Sequence, residues 1–227
     1  MMALMKSQDF LCLTTSIILA LTFSTEVVAK KSAQTKLQTQ NSVDKTAHQN
    51  LAPKQQMAAH TEDLRELMLQ FYEANPQELA KSTQVGPREM TEWVFDGKAN
   101  WKFDAILGKQ GNEAIALIFE PSYQGDVVLP LVVGLESLLF TAYGASNEFD
   151  IPLEINRLKL SAAFCEVQSL KQQLLKVESM QPKKVIDNVL ENKEIHALLE
   201  KTLLKLSERL VNNVGVKREC DSSLEGV

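Results

Sequence analysis

The chain has 227 residues, 44% hydrophobic and 23% charged, which is enough apolar material for one core plus accessory segments. Its net charge of -5 leaves no electrostatic footprint for nucleic acid. Three cysteines and three histidines at these spacings exclude a zinc finger, and no metal or other cofactor is expected.

Residues 1–29 read as a signal peptide. Lys6 supplies the positive start, the apolar run Phe10–Phe23 follows, and Val27, Val28 and Ala29 place small residues before a cut at Lys30. The run is 14 residues long, short of the roughly 20 that span a bilayer. An uncleaved anchor is the alternative, and membrane association is expected only in that case. Cys12 lies inside the run, after bulky Phe10 and Leu11, which is the wrong place for lipidation. The chain has few cysteines and no Asn-x-Ser/Thr acceptor, which points to export into a bacterial periplasm.

Residues 30–60 carry five lysines against one aspartate and few apolar side chains, without period. Such a segment cannot bury enough surface to offset the entropy of ordering it, so a flexible polar arm is expected. His48 and His60 fall within it, where nothing would orient them. The acidic body, 61–213, is expected to be an all-α domain of about six to eight helices, followed by a polar tail at 214–227.

Thr61 is the expected cap of the first helix, whose stripe is Leu64, Leu67, Met68 and Phe71. Asn75 and Pro76 stop it and open a second, short helix, with Glu78 completing a capping-box-like start. Gly86 and Pro87 open a third, in which Met90, Trp93 and Val94 share a face. Trp101–Leu107 is ambiguous, and 112–119 reads either as a helix or as a minor strand. Residues 123–126 form a loop.

Val127–Tyr143 is the most apolar segment after the signal. Pro130 suits a first helical turn and Gly144 the left-handed position past the end. It is 17 residues long and contains Glu136, so a helix buried within the domain is expected rather than a membrane-inserted one. A long helix at about 153–177 follows, with one stripe at Ile155, Leu158, Ala162 and Cys165. A second stripe runs through Leu160, Phe164, Val167, Leu170 and Leu174. A short helix holds Val185, Ile186, Val189 and Leu190. The last, about 194–213, carries Ile195, Leu198, Leu199, Leu203, Leu206 and Leu210.

Chemistry is sparse. His196 and Glu200 stand one helical turn apart and read as a solvated face. Glu136, if enclosed, must be neutral, paired with a cation or facing a cavity. Trp93, Trp101 and Phe103, with Phe95, crowd eleven positions and read as core or as the wall of an apolar site. Cys165 and Cys220 either pair, closing a loop of about 55 residues for about 4 kcal/mol, or Cys165 stays a small core hydrophobe. No catalytic residue is assigned. The expected function is binding of another protein or an envelope component by an exported, non-enzymatic helical protein. The alternative is a lipophilic-ligand binder using the 127–143 helix, Glu136, Trp93, Trp101 and Phe103.

Overall fold

Ala52 and Pro53 open the first helix, α1 (Pro53–Ala74). The computed structural model describes residues 52–97, 100–145, 151–177 and 186–214 together with Cys220. The expected signal peptide, the expected arm up to residue 51 and the rest of the expected tail lie outside them. The expected arm boundary is corrected: residues 53–60 are helical, with Gln56, Met57 and His60 buried. Proline suits the first helical position, and the Gln55 carboxamide accepts a bond from the Ala52 amide at 3.2 Å. Thr61 is therefore no cap and sits two turns inside the helix.

The remaining helices are α2 (Pro76–Ser82), α3 (Pro87–Phe95), α4 (Gly111–Leu117), α5 (Val128–Ala142), α6 (Arg157–Val177), α7 (Asp187–Leu190) and α8 (Lys193–Val214). The described residues contain no strand, so the all-α reading holds; 112–117 is helical and 118–119 is a turn. Trp101–Leu107 resolves into a turn and a 3-10 turn at Asp104–Ile106. Asn100, Trp101 and Leu107 adopt positive φ there, rare for bulky side chains, which is why no single period fitted this stretch.

Four long helices pack in a ring, α1 on α5, α5 on α6, α6 on α8, and α8 back on α1. The side-chain pairings set their directions. Tyr72 meets Asp126 and His60 meets Tyr143, so α1 and α5 run antiparallel. Asp63 meets Lys205 and His60 meets Arg209, so α1 and α8 do too. The second stripe of α6 is buried against the stripe of α8, whereas Leu158 and Ala162 of the first stripe are exposed. Its ends, Ile155 and Cys165, are half-buried against the core, so the stripe is corrected only at its middle, and α6 begins at Arg157 instead of 153. A bridge between Cys165 and Cys220, with Cα atoms 5.4 Å apart, ties α6 to the chain beyond α8.

Helix α5 is the axis of the domain. All its side chains except Leu138 and Thr141 are buried, Pro130 lies in its first turn, and Gly144 takes φ +77° past its end. Small residues let α4 press against it: a Cβ on Gly134 would stand 2.5 Å from Ile115 Cγ1, and the Gly111 amide donates to Ser137 Oγ at 2.8 Å. No described helix is long and apolar enough to cross a membrane.

Candidate functional site: a buried polar seam along α1

The flanks of α1 carry polar side chains into two helix interfaces. His60 is fully buried, its Nε2 3.1 Å from the Tyr143 hydroxyl and its Nδ1 3.5 Å from Arg209 Nη1. Arginine only donates, so Nδ1 is the accepting nitrogen and Nε2–H donates to the tyrosine oxygen. Burial, reinforced by the Arg209 charge, lowers the His60 pKa to about 3, so the ring is neutral at physiological pH. Asp63 binds Lys205 at 2.7 Å and pairs with Arg209. Partial burial pushes its carboxyl up, but hydrogen bonds from both cations outweigh this and hold it below the usual range.

On the opposite flank, Thr61 Oγ1 donates to Glu136 Oε1 at 2.7 Å. Glu136 is 2% exposed and its Oε2 has no hydrogen-bond partner among the described residues. Burial lifts its pKa to about 7, against the Thr61 bond and the Arg65 charge, which favour the ionised form. Arg65 itself is committed to Asp96 by two hydrogen bonds of 2.8 and 2.6 Å, and its guanidinium lies 5.1 Å above the Phe95 ring.

A second polar group closes the far end of the α1–α5 interface. Asp126 Oδ1 accepts from the Val128 and Leu129 amides at 2.8 and 3.4 Å, capping α5. Its Oδ2 accepts from the Tyr72 hydroxyl at 2.5 Å and from Ser82 at 2.9 Å. Burial and the Asp126 charge push the Tyr72 pKa well above its ordinary value, which keeps the hydroxyl a donor. Glu78 does not complete a capping box on its own helix. Its carboxylate binds the Val127 amide at 3.1 Å and Lys81 at 2.7 Å.

Comparison with protein-family models, curated proteins and solved structures yields no match.

The residues singled out from sequence are dispersed. Glu136 belongs to the seam. Trp101 packs edge-on against Phe140, one turn along α5, with ring centroids 4.7 Å apart. Phe103 is half-buried, while Trp93 is 46% exposed, so its expected place beside Met90 and Val94 in the core is corrected. The position of α3 accounts for this: α3 packs chiefly on α1, and Trp93 lies on its outer side. A described cleft lies elsewhere, between α6 and α8. It has about 10 Å³ of free space and is lined by Lys171, Leu174, His196, Leu199, Glu200 and Leu203. That is room for about one water, whereas small-molecule pockets run from roughly 300 Å³ upward. Among the described residues no group of three His, Cys, Asp or Glu side chains is placed to hold a metal ion.

Sequence reasoning assigned His60 to an unstructured arm and missed Asp63, Asp126, Tyr143 and Arg209. One local signal was present: His60 stands four, seven and eleven residues before Leu64, Leu67 and Phe71, on their helix face. Chemically, the seam can hold a proton on Glu136 near neutrality. His60 is enclosed between two helices, and a general base must reach the group it deprotonates.

Proposed function

We propose that this chain is an exported, non-enzymatic helical protein that binds another protein or an envelope component at the start of α6. The observation carrying this reading is the pair Leu153 and Leu158, 89% and 81% exposed within six positions, beside half-buried Ile151 and Ile155. Fully burying a leucine side chain is worth about 1.5–3 kcal/mol, so this edge forgoes stabilisation that a partner would restore. Isolated exposed leucines are ordinary; two together on one helix start are a candidate contact surface. Export rests on the features of residues 1–29 and gains support from the Cys165–Cys220 bridge, since such bonds persist in oxidising compartments.

The test combines fractionation with directed binding. A mature chain beginning at Lys30 in the soluble periplasmic fraction is expected, and retention of Phe10–Phe23 in membranes refutes the export reading. A photocrosslinker at position 158 identifies the partner in the producing cell. Purified partner then binds the wild type at least tenfold more tightly than a Leu153→Ser, Leu158→Ser variant of equal thermal stability. Equal affinity for the two refutes the assigned surface.

A further inference from the structure

Glu136 stands out because its enclosure is complete and its bonding is not. One carboxyl oxygen accepts from Thr61; the other is buried without a hydrogen-bond partner among the described residues. A neutral carboxylic acid fits that setting, with its proton on Oε2, while a carboxylate would leave a charged oxygen bare in the core.

The surrounding elements offer little to neutralise it. From α1, Arg65 is the cation whose charge acts on it, and its guanidinium is taken up by Asp96. Asp63 is held by Lys205 and Arg209, His60 lies between Tyr143 and Arg209, and Glu62 is exposed beside Arg65. The single ionisable side chain of α4, Glu113, is exposed. On α6, Arg157, Lys159 and Glu166 are exposed, and Lys171 lines the cleft with α8.

We propose that Glu136 is a proton-operated latch between α1 and α5, closed when its carboxyl is protonated and loosened when it ionises. Thr61 seats the protonated group against α1. Ionisation draws water towards the bare oxygen, and the way in is separation of the N-terminal half of α1 from α5. The elevation of the Glu136 pKa to about 7 by burial agrees with this geometry and places the transition at neutrality. A folded-state pKa raised above the ordinary value of 4.5 gives stability that is complete below pH 4.5. That stability is lost as pH rises through about 7. The latch therefore closes in mild acid and opens in mild alkali.

The test uses the full chain labelled with ¹³C at the glutamate carboxyl carbons. The Glu136 signal, identified by its loss in Glu136→Gln, is expected to titrate near 7; a midpoint near 4.5 overturns the proposal. Between pH 4.5 and 8 the unfolding constant of the wild type should rise relative to Glu136→Gln by on the order of 100-fold. Over the same range, amide exchange at residues 60–67, corrected for its intrinsic pH dependence, should accelerate in the wild type and not in Glu136→Gln. A midpoint near 7 with unchanged exchange in α1 also overturns the latch, leaving a static buried acid. Should Glu136→Gln fail to fold, Thr61→Val replaces it. Removing this donor is expected to raise the midpoint further and, because the seat is lost, to speed exchange at residues 60–67 even in mild acid; an unmoved midpoint with unchanged exchange overturns the latch.

Discussion

Gly134 offers the sharpest test of how α4 is held on α5. Alanine is ordinarily favourable inside a helix, by about 1 kcal/mol over glycine. Here the added Cβ would lie 2.5 Å from Ile115 Cγ1, 2.9 Å from the Gly111 carbonyl oxygen and 3.1 Å from the Ile115 nitrogen. Two of those three atoms are backbone, and Ile115 is itself buried, so no side-chain rotation clears the space. Helix α4 must withdraw by about 1 Å, which also stretches the Gly111–Ser137 bond, worth about 1 kcal/mol. Overpacking of this kind costs about 1–3 kcal/mol, so the loss exceeds the propensity gain. Gly134→Ala is expected to unfold in urea at a lower midpoint with an unchanged slope, a net loss of about 1–2 kcal/mol. Gly86→Ala, where no atom lies within 4 Å of the new Cβ, is the control and should stay within about 0.5 kcal/mol. A Gly134→Ala protein as stable as the wild type would refute the close approach of the two helices.

Three further outcomes follow from the polar groups and the bridge. The His60 pKa is lowered to about 3 from 6.5, so its contribution is present above pH 6.5 and lost as pH falls toward 3. The stability advantage of wild type over His60→Gln should therefore shrink below pH 6.5, by at most about 1.4 kcal/mol per pH unit. A difference that stays constant from pH 8 to pH 4 in denaturant titrations would show that the ring is not enclosed. Asp126→Ala removes the cap of α5 and strands the buried Tyr72 hydroxyl, a loss of about 2–4 kcal/mol by thermal unfolding. Tyr72→Phe leaves Asp126 its Ser82 and amide partners and should cost only about 1 kcal/mol. Cys220→Ser should lose about 2–4 kcal/mol, and a reducing agent should lower the wild type to that level while leaving the variant unchanged. Insensitivity of the wild type to reduction would mean the bridge contributes nothing.

The helices were legible wherever an apolar stripe at helical spacing is also covered. The stripe of α8 and the second stripe of α6 were read correctly because every residue in them except half-buried Leu198 is buried. The uniform apolarity of Val127–Tyr143 announced α5, since only a helix enclosed on all sides lacks a polar face. Failures came where that logic breaks. The first stripe of α6 has apolar spacing, yet Leu158 and Ala162 face outward, because period shows where side chains point and not whether anything covers them. The start of α1 was missed because its first two turns are polar in composition and become ordered only by packing. Pro53 and the register of His60 with the Leu64 stripe were the local signals there.

The seam was illegible for a related reason. Its bonds join residues 75, 83 and 149 positions apart, and nothing local encodes such pairs. Only Glu136 declared itself, by being charged in an apolar run. Yet the register of α1 accounts for the rest once its neighbours are known. At 100° per residue, positions 61 and 65 lie on one flank of the Leu64 stripe and 63 on the other, with 60 inside the stripe, between Leu67 and Phe71. A helix with one neighbour turns such flanks to solvent. Helix α1 packs against α3, α5 and α8, so its flanks fall at the borders between partners. Thr61 and Arg65 accordingly find Glu136 and Asp96, while His60 and Asp63 find Arg209 and Lys205. Polar side chains at half-buried borders are retained when each meets a partner from the neighbouring element. Glu136 Oε2 is the seam atom for which that matching stops, and so the place where a proton has the most to change.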